Sequence, residues 1–154
     1  MCLDINFARL RKIKLIEFGG SKYGFALSVK GQQIFFFTPS KMLQQQWVRT
    51  LRRSCIFADI EQDYSIEEQI GSGGFSTVHI ARRKSDGKRF AVKIIDTKLI
   101  KKDKRHCRVM NDEVDIHRRL RHVNIVPLKG VYESANRVYL VMKLVNAGQT
   151  WKTV

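Results

Sequence analysis

Three glycines fall within four residues in the run Ile70-Gly71-Ser72-Gly73-Gly74-Phe75-Ser76-Thr77-Val78, and Phe90-Ala91-Val92-Lys93 follows shortly after. Glycines at a turn can take positive φ and let bare backbone N–H groups approach an anion's oxygens where a Cβ would collide. A lysine ammonium within reach of the same anion adds a point charge. Together these residues suit the holding of a polyphosphate. Moving a phosphoryl group would need more: a carboxylate to take a proton, and acceptors for a divalent cation. Glycine clusters most often make only a flexible turn, so the weight rests on the elements that follow.

Ile66 to Ile70 and Val78 to Arg82 read as strands on either side of the glycines, which makes the glycine run the turn of a β-hairpin. Asp86-Gly87 is a two-residue hairpin signal and places Lys93 on the next strand. A basic stretch, Lys98 to Arg108, leads into a helical pattern in which Val109, Glu113, Ile116 and Leu120 form one apolar stripe. A carboxylate inside such a stripe needs a partner, and Lys93 is the candidate. His122-Val123-Asn124-Ile125 closes the helix. Two further strands, Ile125 to Tyr132 and Arg137 to Met142, are joined by a short polar turn.

These five pieces, in this order and spacing, resemble the N-terminal lobe of a eukaryotic protein kinase, with most similarity to the calcium/calmodulin-dependent group and to protein kinase D. The fold implied is α+β: a five-stranded antiparallel sheet and one main helix over residues 64–154, ending at the hinge. The resemblance implies that Lys93 pairs with the α- and β-phosphates of ATP and with Glu113. It further implies that Ile70, Gly71, Ser72, Gly73, Gly74, Phe75 and Ser76 form the phosphate-covering loop. Val78 and Ala91 would cover the adenine ring, and Met142 would stand at its back edge. Backbone groups of Lys143 and Val145 would bond the adenine edge, and Leu128 would join an apolar spine.

Some positions depart from the pattern. Ser76 replaces the loop's third glycine, and His117 stands at a usually aliphatic position, where a partly packed imidazole is expected. Lys143 stands where the family usually has Glu, and Gln149 where an acidic ribose contact is common. The His-Arg-Asp and Asp-Phe-Gly motifs that supply the proton acceptor and the magnesium ligands do not occur in the sequence. This chain alone is therefore expected to be catalytically silent, with Mg2+ use depending on a second lobe. The alternative is a noncatalytic membrane- or protein-binding module.

Residues 1–57 read as a different unit, with 58–63 as linker. Leu3 to Phe7, Lys12 to Phe18, Tyr23 to Val29 and Gln32 to Thr38 are strand-like, and Pro39-Ser40 begins a helix. Leu43, Trp47 and Leu51 recur every four residues, which predicts Trp47 as a core anchor. Strands followed by such a helix resemble the C-terminal half of a pleckstrin-homology domain. In that family the basic residues for phosphoinositide head groups lie on earlier strands, so anionic membrane lipid is a partner only through a complete domain. The formal charge is +15, with ten basic and two acidic residues in the first 57 and nineteen and twelve in the rest. Such charge favours anionic surfaces in general, but no base-reading motif accompanies it, so no specific nucleic acid is expected. Cys2, Cys55 and Cys107 lack metal-ligand spacing and suit reduced thiols. No apolar run reaches membrane-spanning length, and a cytoplasmic protein with access to membrane surfaces is expected.

Overall fold

The structure is a computed structural model that describes residues 8–17, 20–29, 31–52, 54–74, 76–100, 114–120 and 122–145. The strand expected at Leu3 to Phe7, Phe75, Val109, Glu113, Gln149, Cys2 and Cys107 lie outside the described residues. Contacts divide the chain into two compact units, residues 1–58 and 59–154.

In the N-terminal unit three strands run antiparallel, β1 (Arg9–Glu17), β2 (Gly20–Val29) and β3 (Gln32–Thr38). The first begins three residues earlier than the sequence pattern suggests. Ser40 caps the helix α1 (Lys41–Leu51), its Oγ accepting from the Leu43 N–H at 3.2 Å, one of the donors every helix start leaves unpaired. A short strand absent from the sequence reading, β4 (Ile56–Ala58), runs parallel to β1.

Trp47 is not the anchor of α1. It is 50% exposed, whereas Gln44 and Val48 are buried. The buried face of the helix is thus one residue further round than the Leu43, Trp47, Leu51 spacing suggests. The cause is polar: the Gln44 side-chain amide donates to the carbonyls of Ile13 (2.9 Å) and Gly24, and these bonds fix which face turns inward. A buried amide without such partners would cost about 1–3 kcal/mol. Gly24 itself has to be glycine, because a Cβ there would run into the Phe36 carbonyl oxygen.

The C-terminal unit is built on a five-stranded antiparallel sheet of order β8-β9-β7-β6-β5. Its strands are β5 (Tyr64–Gly73), β6 (Ser76–Arg83), β7 (Arg89–Asp96), β8 (Leu128–Glu133) and β9 (Arg137–Lys143). A one-turn helix, α2 (Thr97–Ile100), follows β7, and residues 114–119 are helical. Residues 125–127, expected as strand, precede β8 instead. Residues 59–63 hold a single 3-10 turn, Ile60–Gln62, and Asp63 is tied to the lobe: its carboxylate accepts from the Tyr132 hydroxyl at 2.6 Å. Tyr64 meets Phe90 and Tyr132 edge to face, with ring centroids 5.5 and 5.9 Å away. Such T-shaped pairs contribute about 0.5–1.5 kcal/mol each beyond their buried area.

The helical stripe is also displaced. Ile116 and Leu120 are 56% and 45% exposed, while Val114 is buried. His117 turns toward the chain before β8, where its Nε2 donates to the Val126 carbonyl at 2.7 Å. The inward face runs through Val114 and His117, three residues apart, and the imidazole is a tether between helix and loop.

Candidate functional site

β5 and β6 form the hairpin that carries the glycines, with Gly71 opposite Val78, Ser72 opposite Thr77 and Gly73 opposite Ser76. Register shifts at Ile66/Gln69 and Gln69/Gly71 mark bulges that increase the twist of β5 as it enters the turn. None of Gly71, Gly73 and Gly74 takes positive φ; among the described glycines that conformation belongs to Gly31 and Gly87. A Cβ at Gly71 or Gly73 would make only ordinary contacts, and one at Gly74 would meet nothing within 4 Å. The chain itself therefore does not need these glycines for its turn. What their absence of side chains leaves open is room beside the backbone, which fits a close-approaching phosphate. Gly87, at φ +70°, does need to be glycine for the Asp86-Gly87 turn that sends β7 back along β6.

Charges clamp the three strands that present the site. Arg82 Nε lies 2.7 Å from Glu67, and Arg89 lies 2.8 Å from Glu68 and 3.7 Å from Glu67. Because these pairs are largely exposed, each contributes little to stability, on the order of 0–1 kcal/mol. They cross-link β5 with β6 and β7 all the same. Arg83 holds Asp86 through two bonds of 2.8 and 2.6 Å. That fork keeps the Asp86 carboxyl down at about 2 and raises the Arg83 guanidinium.

Pairing places the expected site residues on one face. Paired residues in an antiparallel ladder share a face, and so do residues two apart along a strand. Val78 pairs with Lys93, and Lys93 with Leu140; Ile80 pairs with Ala91, and Ala91 with Met142. Val78, Ala91, Lys93 and Met142 thus share a face and are each only partly buried, while Ile80 and Leu140 on the same face are closed off. Ile70, at the start of the glycine hairpin, is 50% exposed. Leu128 pairs with Met142 and is half-buried. Lys143 ends β9, and Val145 follows two residues later. Ile80 and Leu140 were missed from sequence; their signal was strand alternation with Val78 and Met142.

The opposite face of this sheet carries a cavity of about 860 Å³ lined by Ser65, Thr77, His79, Ile94, Asp96 and Tyr139 among others. It reaches the glycine hairpin at Gly73, Gly74 and Ser76 but includes neither Lys93, Val78, Ala91 nor Met142. Among the described residues no His, Cys, Asp and Glu cluster could hold a metal ion, and no helix is long and apolar enough to cross a membrane.

Residues 64–154 match the family model described as protein kinase domain. Among curated proteins, the chain is 39% identical over 98 residues to calcium/calmodulin-dependent protein kinase type 1 of Caenorhabditis elegans, covering 63% of this chain and 27% of that protein. It is 40% identical over 93 residues to serine/threonine-protein kinase PLK4 of Aedes aegypti, covering 60% and 12%. It is 32% identical over 96 residues to myosin light chain kinase A of Dictyostelium discoideum, covering 62% and 32%. The chain thus spans no more than about a third of the length of these relatives.

Proposed function

The chain belongs to the protein kinase domain family through residues 64–154, and from that premise we propose that this unit is the ATP-binding lobe of a serine/threonine kinase. The observation that carries the reading is the shared, partly open face of Val78, Ala91, Lys93 and Met142 on the strands next to the glycine hairpin. Val78 and Ala91 cover the adenine, Met142 closes its back edge, and the backbone of Lys143 and Val145 bonds its rim. Backbone N–H groups from Gly71 to Ser76 lie over the phosphates. Lys93 draws the α- and β-oxygens and is oriented by Glu113. ATP supplies the transferred phosphoryl group. Proton acceptance and magnesium binding are assigned to a second lobe, so the 154 residues alone bind nucleotide weakly and transfer nothing.

The serine/threonine assignment is supported by the names of the relatives, and a place in the calcium/calmodulin-dependent group by one of them. For the N-terminal unit, a pleckstrin-homology-like reading is supported by three antiparallel strands running directly into α1. The half-exposed Trp47 and the parallel β4 weigh against it, and a lipid partner is assigned only to a complete domain. The noncatalytic alternative is favoured by the exposed aromatic residues of β3.

Backbone amide shifts on titration with MgATP test the proposal. Movement confined to residues 70–78, 91–93 and 142–145, and lost in Lys93→Ala, is expected. Movement on the His79, Ile94 and Tyr139 face with Lys93 unaffected, or none at millimolar nucleotide in a folded sample, overturns it.

A further inference from the structure

We propose that β3 is a self-association edge, through which two copies of this chain join antiparallel about a twofold axis at Phe35. Among the described residues β3 is the terminal strand of its unit's sheet and is paired on one side, by β2. The Phe36 carbonyl points toward β2, since it is the atom a Cβ on Gly24 would strike. Backbone groups alternate in direction along an antiparallel ladder, so Gln33, Phe35 and Phe37 turn their N–H and C=O groups to the open edge. A lipid surface cannot answer those groups; an extended backbone can.

The side chains narrow the occupant. Phe35 and Phe37 share one face at 51% and 52% exposure, and Phe36 lies on the other at 38%. From Gly31 to Ser40 there is no charged residue, in a chain that is 28% charged and carries +15. Natural edge strands are guarded by lysine, proline or a bulge. The β2–β3 register is unbroken over seven residues, and β3 has none of these guards. Two copies at +15 repel wherever their charges meet, but contact here brings no like charges together, and charges beyond about 8 Å are screened at physiological ionic strength. An acidic partner would find no cation on this strand. A second copy matches it residue for residue.

Pairing all seven residues centres the axis on Phe35. Phe35 then faces the partner's Phe35, Ile34 the partner's Phe36, Gln33 the partner's Phe37 and Gln32 the partner's Thr38. Phe35 also meets the partner's Phe37 on the diagonal, within reach of an aromatic ring. At about 200 Å² per ring, the exposed parts of the three phenylalanines give roughly 560 Å² of aromatic surface over two copies. That is well under the ~1,200 Å² of a stable interface, so the association is reversible.

Sedimentation of the whole chain across about 1–100 µM, the range of a weak reversible complex, is the test. The mass should rise from 17.9 kDa toward twice that value and then level off. Phe35→Lys and Gln33→Lys should each hold the chain monomeric with unchanged circular dichroism. In a Cys2→Ser/Cys107→Ser background, Phe35→Cys should cross-link under mild oxidation while Thr50→Cys, on exposed α1, does not. A monomer throughout the range, growth without a dimer plateau, or a dimer indifferent to both lysine variants would overturn the proposal.

Discussion

The two units differ in how far they cover their aromatic residues. In the C-terminal unit Tyr64, Phe90 and Tyr132 are 1%, 8% and 0% exposed and meet edge to face. In the N-terminal unit Phe25 and Phe57 are likewise buried, at 4% and 2%, but Phe35, Phe36, Phe37 and Trp47 are between 38% and 52% exposed. The residue types are alike, so hydrophobicity does not decide burial. What decides it is whether another layer covers the face the residue is on. In the C-terminal unit the cover includes a polar stitch, the Tyr132 hydroxyl on Asp63, which ties the chain leading into β5 to β8.

The comparison is broken if truncating an exposed ring of β3 costs as much as truncating Tyr132. Tyr132→Ala should lower the stability of the C-terminal unit by about 3–5 kcal/mol, through lost packing and an unpaired Asp63 contact. Urea unfolding followed by near-ultraviolet circular dichroism reads that loss. In the N-terminal unit a glycine should matter more than any of the exposed aromatic residues of β3. Gly24→Ala drives a methyl group into the Phe36 carbonyl oxygen and should cost about 1–3 kcal/mol, visible as a lowered midpoint for that unit alone.

The same contrast explains what was legible in the sequence. The glycine hairpin and the Asp86-Gly87 turn are read from local chemistry, whereas the Val78, Ala91, Lys93, Met142 set comes from the family resemblance, and strand pairing puts those four on one face. The helix faces were not legible. At α1 the spacing of Leu43, Trp47 and Leu51 is apolar, but two hydrogen bonds donated by the Gln44 amide to strand carbonyls turn the helix one residue further round. In the helix at residues 114–119 the imidazole bond from His117 to Val126 does the same to Ile116 and Leu120. Both signals are single polar side chains bonded to backbone carbonyls nine to thirty-one residues away, which apolar periodicity does not register. β4 escaped for a related reason, since three residues are too few to show a pattern. Glu113 lies outside the described residues, so its pairing with Lys93 stands as inference from sequence.

Smaller substitutions sharpen the comparison within the N-terminal unit. Ser40→Ala removes the Leu43 N–H partner and should cost about 1 kcal/mol, which Ser40→Asp should restore. Trp47→Ser should change stability by no more than about 0.5 kcal/mol, because the ring is half exposed and the inward face belongs to Gln44 and Val48. A loss of several kcal/mol from Trp47→Ser, measured by urea unfolding, would restore the tryptophan as the anchor and remove the contrast between the units.

The smallest effect belongs to the surface of the C-terminal unit, at the turn between β6 and β7. Asp86 is held at about 2, below its ordinary 3.8, first by its bonds to Arg83 and then by the Lys88 N–H and charge. A carboxylate whose folded value is depressed adds stability above its unfolded value and loses it as the pH falls through the folded one. Between pH 4 and pH 2 the native chain should therefore lose slightly more stability than Asp86→Asn, whose side chain does not titrate. The group lies at the surface, so the difference should shrink in 1 M salt, where the screening length is about 3 Å. Thermal unfolding of both chains at the two pH values, with and without salt, reads it. A difference that survives salt would mean the turn is held by bond geometry rather than charge, and the Arg83 clamp would then belong with the Tyr132 stitch as part of the unit's framework.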